Sequence, residues 1–270
     1  MSIMNRVLLL LIACLLSVTQ ACAAQTEAQS PPNILFIAVD DLRPMGAAYG
    51  DTRARTPNID DLAAQSTVFK QAYVQYPVCG PSRSSMLTGL RPESSGVLDL
   101  KTRLRDIHPA IVTLPQFFKN QGYATAAVGK IFDPRNVDSR QDDDPASWTI
   151  PFRNVSGKVD KRGKPNYATI AIDARNEDFV DGQIHERGKK LLRQMARNDE
   201  PFFLGVGYKK PHLPFTVPKR FYDLFDRGSL ELAPFQQAPA SSDPRFILSG
   251  NNELKSYVPR PASKDEPDHY

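Results

Sequence analysis

The stretch from Asn33 to Val39, NILFIAV, is an unbroken apolar run of strand length that stops abruptly at Asp40-Asp41. A run of this kind reads as a strand buried on both faces. The construction recurs twice. Tyr123 to Val128 (YATAAV) ends at Gly129-Lys130, and Pro201 to Val206 (PFFLGV) runs into Lys209-Lys210-Pro211-His212. Helical segments lie between these strands. Thr56-Pro57 supplies a cap followed by proline, with Ile59, Leu62 and Ala63 at helical spacing. Thr113-Leu114-Pro115-Gln116 reads as a capping box, Phe117 and Phe118 as an apolar face, and Gly122 as the stop. From Asp181 onward, Ile184, Leu191, Leu192 and Met195 share one helix face. Strands alternating with helices predict an α/β fold with a mostly parallel sheet flanked by helices. Ligands of such sheets sit at the carboxyl ends of the strands, so Asp40-Asp41, Lys130 and His212 are expected to converge.

Other segments are less regular. Val68 to Val74 reads as a further strand, and the loop Tyr76-Pro77-Val78-Cys79-Gly80-Pro81 as the entry to a helix from Pro81 to Leu90. From Pro134 to Asp178 the chain is polar and reads as a long excursion. After Pro234 the periodicity fades, and no strand or helix is expected to close the chain. Of the 270 residues, 41% are hydrophobic and 24% charged, which excludes a mainly disordered, collagen-like or multispanning membrane chain. A net charge of +4 with no basic run interleaved with aromatics gives no reason to expect nucleic acid, whereas a weak positive field suits a small anionic substrate.

The cysteines are unevenly placed at Cys14, Cys22 and Cys79. The first two fall in an N-terminal segment where Arg6 precedes the apolar run Val7 to Val18 and small residues follow at Ala21 to Ala24. That pattern reads as a secretory leader over residues 1–24, with residues 25–270 as the mature chain. The run is shorter than the roughly 20 residues that span a bilayer, so no stable membrane span is expected. Lipid attachment at Cys22 is the alternative. The expected location is the periplasm or the exterior, or a lysosome in a eukaryote. Cys79 is then the sole thiol of the mature chain in an oxidising compartment. It is open at this point to three readings: an inert buried cysteine, an intermolecular partner, or a chemically used residue.

The segment Pro77-Val78-Cys79-Gly80-Pro81-Ser82-Arg83, continuing to Thr88-Gly89, resembles the signature of the sulfatase family, whose core is Cys-x-Pro-x-Arg. Gly122 to Lys130 resembles the family's second signature, and Asp40-Asp41 its metal-binding acidic pair. The VDDLRP run, Gly129-Lys130-Ile131-Phe132 and the stretch Gly207 to Phe215 look most like the iduronate-2-sulfatase branch. The resemblance covers Asn33 to about Pro234. It implies an alkaline-phosphatase-like fold and hydrolysis of sulfate esters, plausibly on sulfated saccharides such as glycosaminoglycans. It also implies oxidation of Cys79 to formylglycine, whose hydrated aldehyde is the nucleophile, and hence a formylglycine-generating enzyme as a maturation partner. The implied metal is a single calcium ion, with Asp40, Asp41 and residue 79 as ligands. Arg83 is then expected beside the nucleophile, Lys130 on a sulfate oxygen, and His212 on the sulfate as donor of a proton to the leaving oxygen. The chemistry suits these residue types, because a hard cation held by carboxylates and nearby cations stabilise a delocalised anion. His108, His185 and His269 read as ordinary histidines. Asn154-Val155-Ser156 is a glycosylation sequon.

Two positions depart from the family pattern. Where the iduronate branch carries a histidine three places after the lysine, this chain has Asp133. No Asp-His-Gly or Asp-Asn-Gly occurs to complete the metal shell. The chain is therefore expected to be the N-terminal part of a catalytic domain whose C-terminal part, with the remaining ligands, is missing. The competing readings are a non-catalytic fragment or binding module, and a phosphoryl or phosphonate hydrolase on the same scaffold. The latter use serine or threonine as nucleophile, against which Cys-x-Pro-x-Arg argues.

Overall fold

The computed structural model describes residues 30–137, 143–159, 166–229 and 253–258. The chain divides into two compact units, Met1–Asn33 and Ile34–Tyr270, and every element below belongs to the second. The leader expected over residues 1–24, with Cys14 and Cys22, lies outside the described residues, as does most of the stretch after Pro234. No helix among the described residues is long and apolar enough to cross a membrane.

In chain order the unit contains β1 (Ile34–Val39), α1 (Pro57–Ala64), α2 (Cys79–Thr88), α3 (Leu114–Asn120), β2 (Ala124–Gly129), β3 (Thr169–Ile172), α4 (Val180–Met195), β4 (Phe202–Tyr208) and β5 (Phe215–Pro218), with single helical turns between. The main sheet has the order β1-β4-β2, and both pairings are parallel. Its register aligns Val39 with Tyr208 and Gly129 with Gly207. All three strands therefore end at one level, and the residues that follow them meet on one edge. β4 is central and buried along Phe202 to Gly207, as its unbroken apolar sequence requires.

The two faces of β4 fill two halves of the core. On one side Leu204 and Val206, with Ala126 and Val128 of β2, pack against Ile184, Leu191 and Met195 of α4. The buried positions of α4 are Val180, Ile184, Gly188, Leu191 and Met195, a stripe that only a helix brings onto one face. On the other side Phe203 stacks between Phe36 and Phe118, with ring centroids 6.0 and 5.4 Å away. Leu87, Ile131, Phe132 and Trp148 complete that layer. Each such fully buried large side chain contributes about 1.5–3 kcal/mol of transfer free energy, so this packing, rather than propensity, fixes where β2 and β4 end.

Several sequence expectations need correction. Val68 to Val74 is not a strand. Its large residues Tyr73 and Phe69 are open to solvent, by 82% and 73%. Strand-prone composition needs a pleated neighbour to become a strand. α2 begins at Cys79 rather than Pro81, with the extended residue Val78 as its cap. Pro81 sits inside the first turn, where its missing N–H has no intrahelical partner to lose. The polar excursion contains β3, which pairs in parallel with β5 in a second, two-stranded sheet. Neither short strand carries a clear apolar pattern. Beyond Pro234, Glu253–Ser256 forms a 3-10 turn, and Val258 bridges to Tyr167.

Candidate active site

Asp40 continues the β1–β4 ladder by one bond, its N–H donating to the Tyr208 carbonyl at 3.0 Å. Asp41 then takes a left-handed conformation with φ of 56° and turns the chain away. The adjacent acids thereby part company. Asp40 is buried at 4% exposure, while the Asp41 side chain is 53% exposed. Asp40 Oδ1 accepts from Arg83 Nη2 at 2.7 Å and Oδ2 from Lys130 Nζ at 2.5 Å. Burial works to raise the Asp40 pKa, but Lys130 and then Arg83 outweigh it and hold the carboxyl below its ordinary value.

Lys130 owes its place to two glycines. Gly129 has φ of 77°, a conformation that side chains rarely adopt, and its missing Cβ leaves room for the Gly207 carbonyl. A Cβ on Gly207 would overlap the backbone of Lys130, whose N–H donates to Gly207 O at 2.8 Å. The strand ends thus pass in near contact, and Lys130 leaves the sheet toward Asp40. Gly207→Ala is expected to lower stability by about 1–3 kcal/mol through forced separation of the strands. Urea denaturation of the two proteins measures this directly.

Cys79 is the first residue of α2, and Arg83 follows one turn later on the same face. Besides Asp40, the buried Arg83 guanidinium donates through Nη1 to the carbonyls of Lys130 and Ile131 at 2.5 and 2.9 Å. It locks the end of β2 to the turn after β1. Cys79 is half-buried and has no disulfide partner among the described residues.

His212 arrives on the loop after β4. That loop is pinned by Asp181 in the first turn of α4, whose carboxylate accepts from the N–H groups of Lys209 and Lys210 at 2.8 and 2.9 Å. Lys210 Nζ in turn donates to the carbonyls of His212 and Pro214. The imidazole Nδ1 donates to Leu213 O at 2.7 Å, so Nε2 is the nitrogen left for chemistry. It lies 3.9 Å from Asp41 Oδ2 and 3.9 Å from Glu253 Oε1. The Cys79 sulfur, ahead of the Leu213 carbonyl and against the opposing effects of burial and Lys130, pushes His212 up to about 9.

A carboxylate oxygen of Asp40, the Cys79 sulfur and a ring nitrogen of His212 lie within 4.8 Å of one another, close enough to share a divalent cation. Thiolate with imidazole and carboxylate suits zinc, whereas an oxygen in place of the sulfur makes the set harder and suits calcium or magnesium. Asp41 stands outside this trio, at the rim. Asp133 lies beside the group, its buried side chain 3.7 Å from Lys130 Nζ and paired with Arg135. Burial works to raise the Asp133 pKa, and Arg135 and Lys130 bring it below the ordinary value. The sequence-expected residues Asp40, Cys79, Arg83, Lys130 and His212 are thus brought together, with Asp41 at the edge. Sequence reasoning missed Asp181, Arg135 and Glu253. Only Asp181 had a local signal, an acid in the first turn of a helix after which a basic loop must be held.

A parallel sheet flanked by helices, with acid, base and thiol gathered at its carboxyl end, is an alkaline-phosphatase-like α/β architecture. The chain belongs to the sulfatase family, whose model matches residues 32–257. Human iduronate 2-sulfatase is 39% identical over 243 residues, which cover 84% of this chain and 44% of the human protein. A Formosa agariphila protein described as a sulfatase is 32% identical over 271 residues, covering 92% of this chain and 52% of that one. Among solved structures, Ps i-CgsB superposes with a TM-score of 0.58 at 22% identity, over 74% of this chain and 49% of its own. The phosphonate monoester hydrolase of Agrobacterium radiobacter gives 0.56 at 19%, over 77% and 46%. These two likenesses establish the fold. The chain spans about half the length of the curated relatives it matches.

Proposed function

We propose that this chain carries the nucleophile-bearing part of an exported sulfuric ester hydrolase acting on sulfated saccharides. The reading rests on one observation above the others: Cys79, in a Cys-x-Pro-x-Arg setting, opens a helix directly beside Asp40, Arg83, Lys130 and His212. Residue 79 serves as the nucleophile after oxidation to formylglycine by a maturation enzyme, as is general in the family. Asp40 and the modified residue 79, with Asp41 reaching in from the rim, would hold a calcium ion, which would supply Lewis-acid stabilisation of the nucleophile and of sulfate oxygens.

The protein residues divide the remaining work. Arg83 fixes Asp40 in place and contributes positive charge beneath the sulfate. Lys130, as a point charge, binds a sulfate oxygen. His212 Nε2 passes a proton to the leaving oxygen, a role open to it because Nδ1 is committed to Leu213 O. The similarity to human iduronate 2-sulfatase supports a sulfated sugar as the substrate, and the basic start and short apolar run of residues 1–24 support export.

The test uses protein purified from its native host. Sulfate release from a sulfated saccharide is expected to stop after treatment with a calcium chelator and to return when calcium is added back. Release that ignores chelation contradicts the metal role. Faster hydrolysis of the corresponding phosphate ester sinks the sulfatase reading in favour of a phosphoryl hydrolase.

A further inference from the structure

The turn Pro134–Asn136 is built onto the helix that carries Cys79. Asn136 is buried, donates through Nδ2 to the carbonyls of Asp99 and Thr102 at 2.9 and 2.7 Å, and presses Oδ1 against Gly80 so closely that a Cβ there would overlap it. This contact places the turn beside the first residues of α2. One residue earlier, Arg135 donates from Nε to Asp133 Oδ1 and from Nη2 to Asp133 Oδ2, each at 2.8 Å. Asp133 also accepts from the Arg135 backbone N–H at 3.1 Å. Its side chain is 0% exposed, whereas that of Arg135 is 49% exposed.

This asymmetry matters. Ordinary surface ion pairs are loose and contribute little, because both partners lose side-chain freedom to form them. Here the acid is sealed into the protein and caps the turn, so the guanidinium is held in a fork geometry without having to be ordered by a ligand. Its Nη1 has no partner among the described residues. The Cys79 sulfur and the Glu253 carboxylate both lie within electrostatic reach of it, and Glu253 in turn lies 3.9 Å from His212 Nε2. Arg83 and Lys130, by contrast, pair with Asp40 in the floor of the site, where the reacting sulfate is proposed to sit, with side chains only 7% and 11% exposed.

We infer that Arg135 is a substrate-binding residue that recognises a second anionic group on the sulfate ester, so that preferred substrates carry two negative groups. The inference rests on the sulfatase reading above. A guanidinium with an uncommitted N–H edge binds a carboxylate or sulfate through charge-assisted hydrogen bonds. The group it meets does not react, so the contact acts on the binding of that substrate more than on the chemical step.

The test compares one sugar monosulfate with the same sugar as its disulfate, using wild type, Arg135→Ala and Arg135→Lys. The preference for the disulfate, taken as the ratio of kcat/KM values, is expected to fall about tenfold in Arg135→Ala, carried by KM. Arg135→Lys, which keeps the charge and loses the fork, is expected to retain part of it. A preference within about twofold of wild type in Arg135→Ala, or a loss shared equally by both esters, overturns the role of Arg135 while leaving the sulfatase reading intact. A wild-type protein that hydrolyses neither ester overturns that reading and the inference with it.

Discussion

Arg83→Met is expected to destabilise the fold by about 3 kcal/mol, the lower end of the range for removing one partner of a buried ion pair. The Arg83 side chain is 7% exposed and that of its partner Asp40 5%. Methionine keeps much of the apolar stem but leaves the carbonyls of Lys130 and Ile131 without this donor and Asp40 with a single cation. Lys130 remains against Asp40, which is why the lower end applies. Equilibrium urea denaturation gives the number. The double variant Asp40→Asn, Arg83→Met is expected to cost less than the sum of the two single changes, because the second change removes a charge that the first had stranded. A loss below about 1 kcal/mol for Arg83→Met contradicts a buried, structural pairing.

Cys79→Ala is expected to lower sulfate release by about a thousandfold or more, as loss of a nucleophile does in enzymes that form covalent intermediates. Stability should change by less than about 1 kcal/mol, since the side chain is small, only half-buried and at the first position of α2. The two readouts separate chemistry from folding. A thermal melt that matches wild type, alongside lost turnover measured by sulfate release, assigns the effect to residue 79 itself. Turnover within about tenfold of wild type rules it out as the nucleophile.

Much of this arrangement was legible in the chain itself. β1, β2 and β4 announce themselves because their apolar runs end sharply, and the residue after each run stands at the carboxyl edge of the sheet. That is why Asp40, Lys130 and His212 are expected from the sequence to converge, whereas the place of Arg83 beside residue 79 is what the family resemblance implies. α4 was legible from its stripe of buried positions.

What was not legible depended on contacts far apart in sequence or on backbone conformation. Asp40 and Asp41 look alike as letters, and only the left-handed turn at Asp41 sends one inward and the other to the rim. Glu253 reaches His212 from a stretch with no periodicity at all. β3 and β5 are too short for alternation to register, and they exist because each supplies the other's ladder. Val68 to Val74 shows the converse, a strand-like composition that forms no strand among the described residues. Asp133 was visible as a departure from the family pattern, but its pairing with Arg135 depends on a tight turn that spacing does not reveal.

The mass of the peptide spanning Cys79, measured on protein produced in its native host, tests the central claim most directly. An aldehyde at residue 79 in place of the thiol is the expected result. An intact cysteine in protein that nonetheless releases sulfate would contradict it.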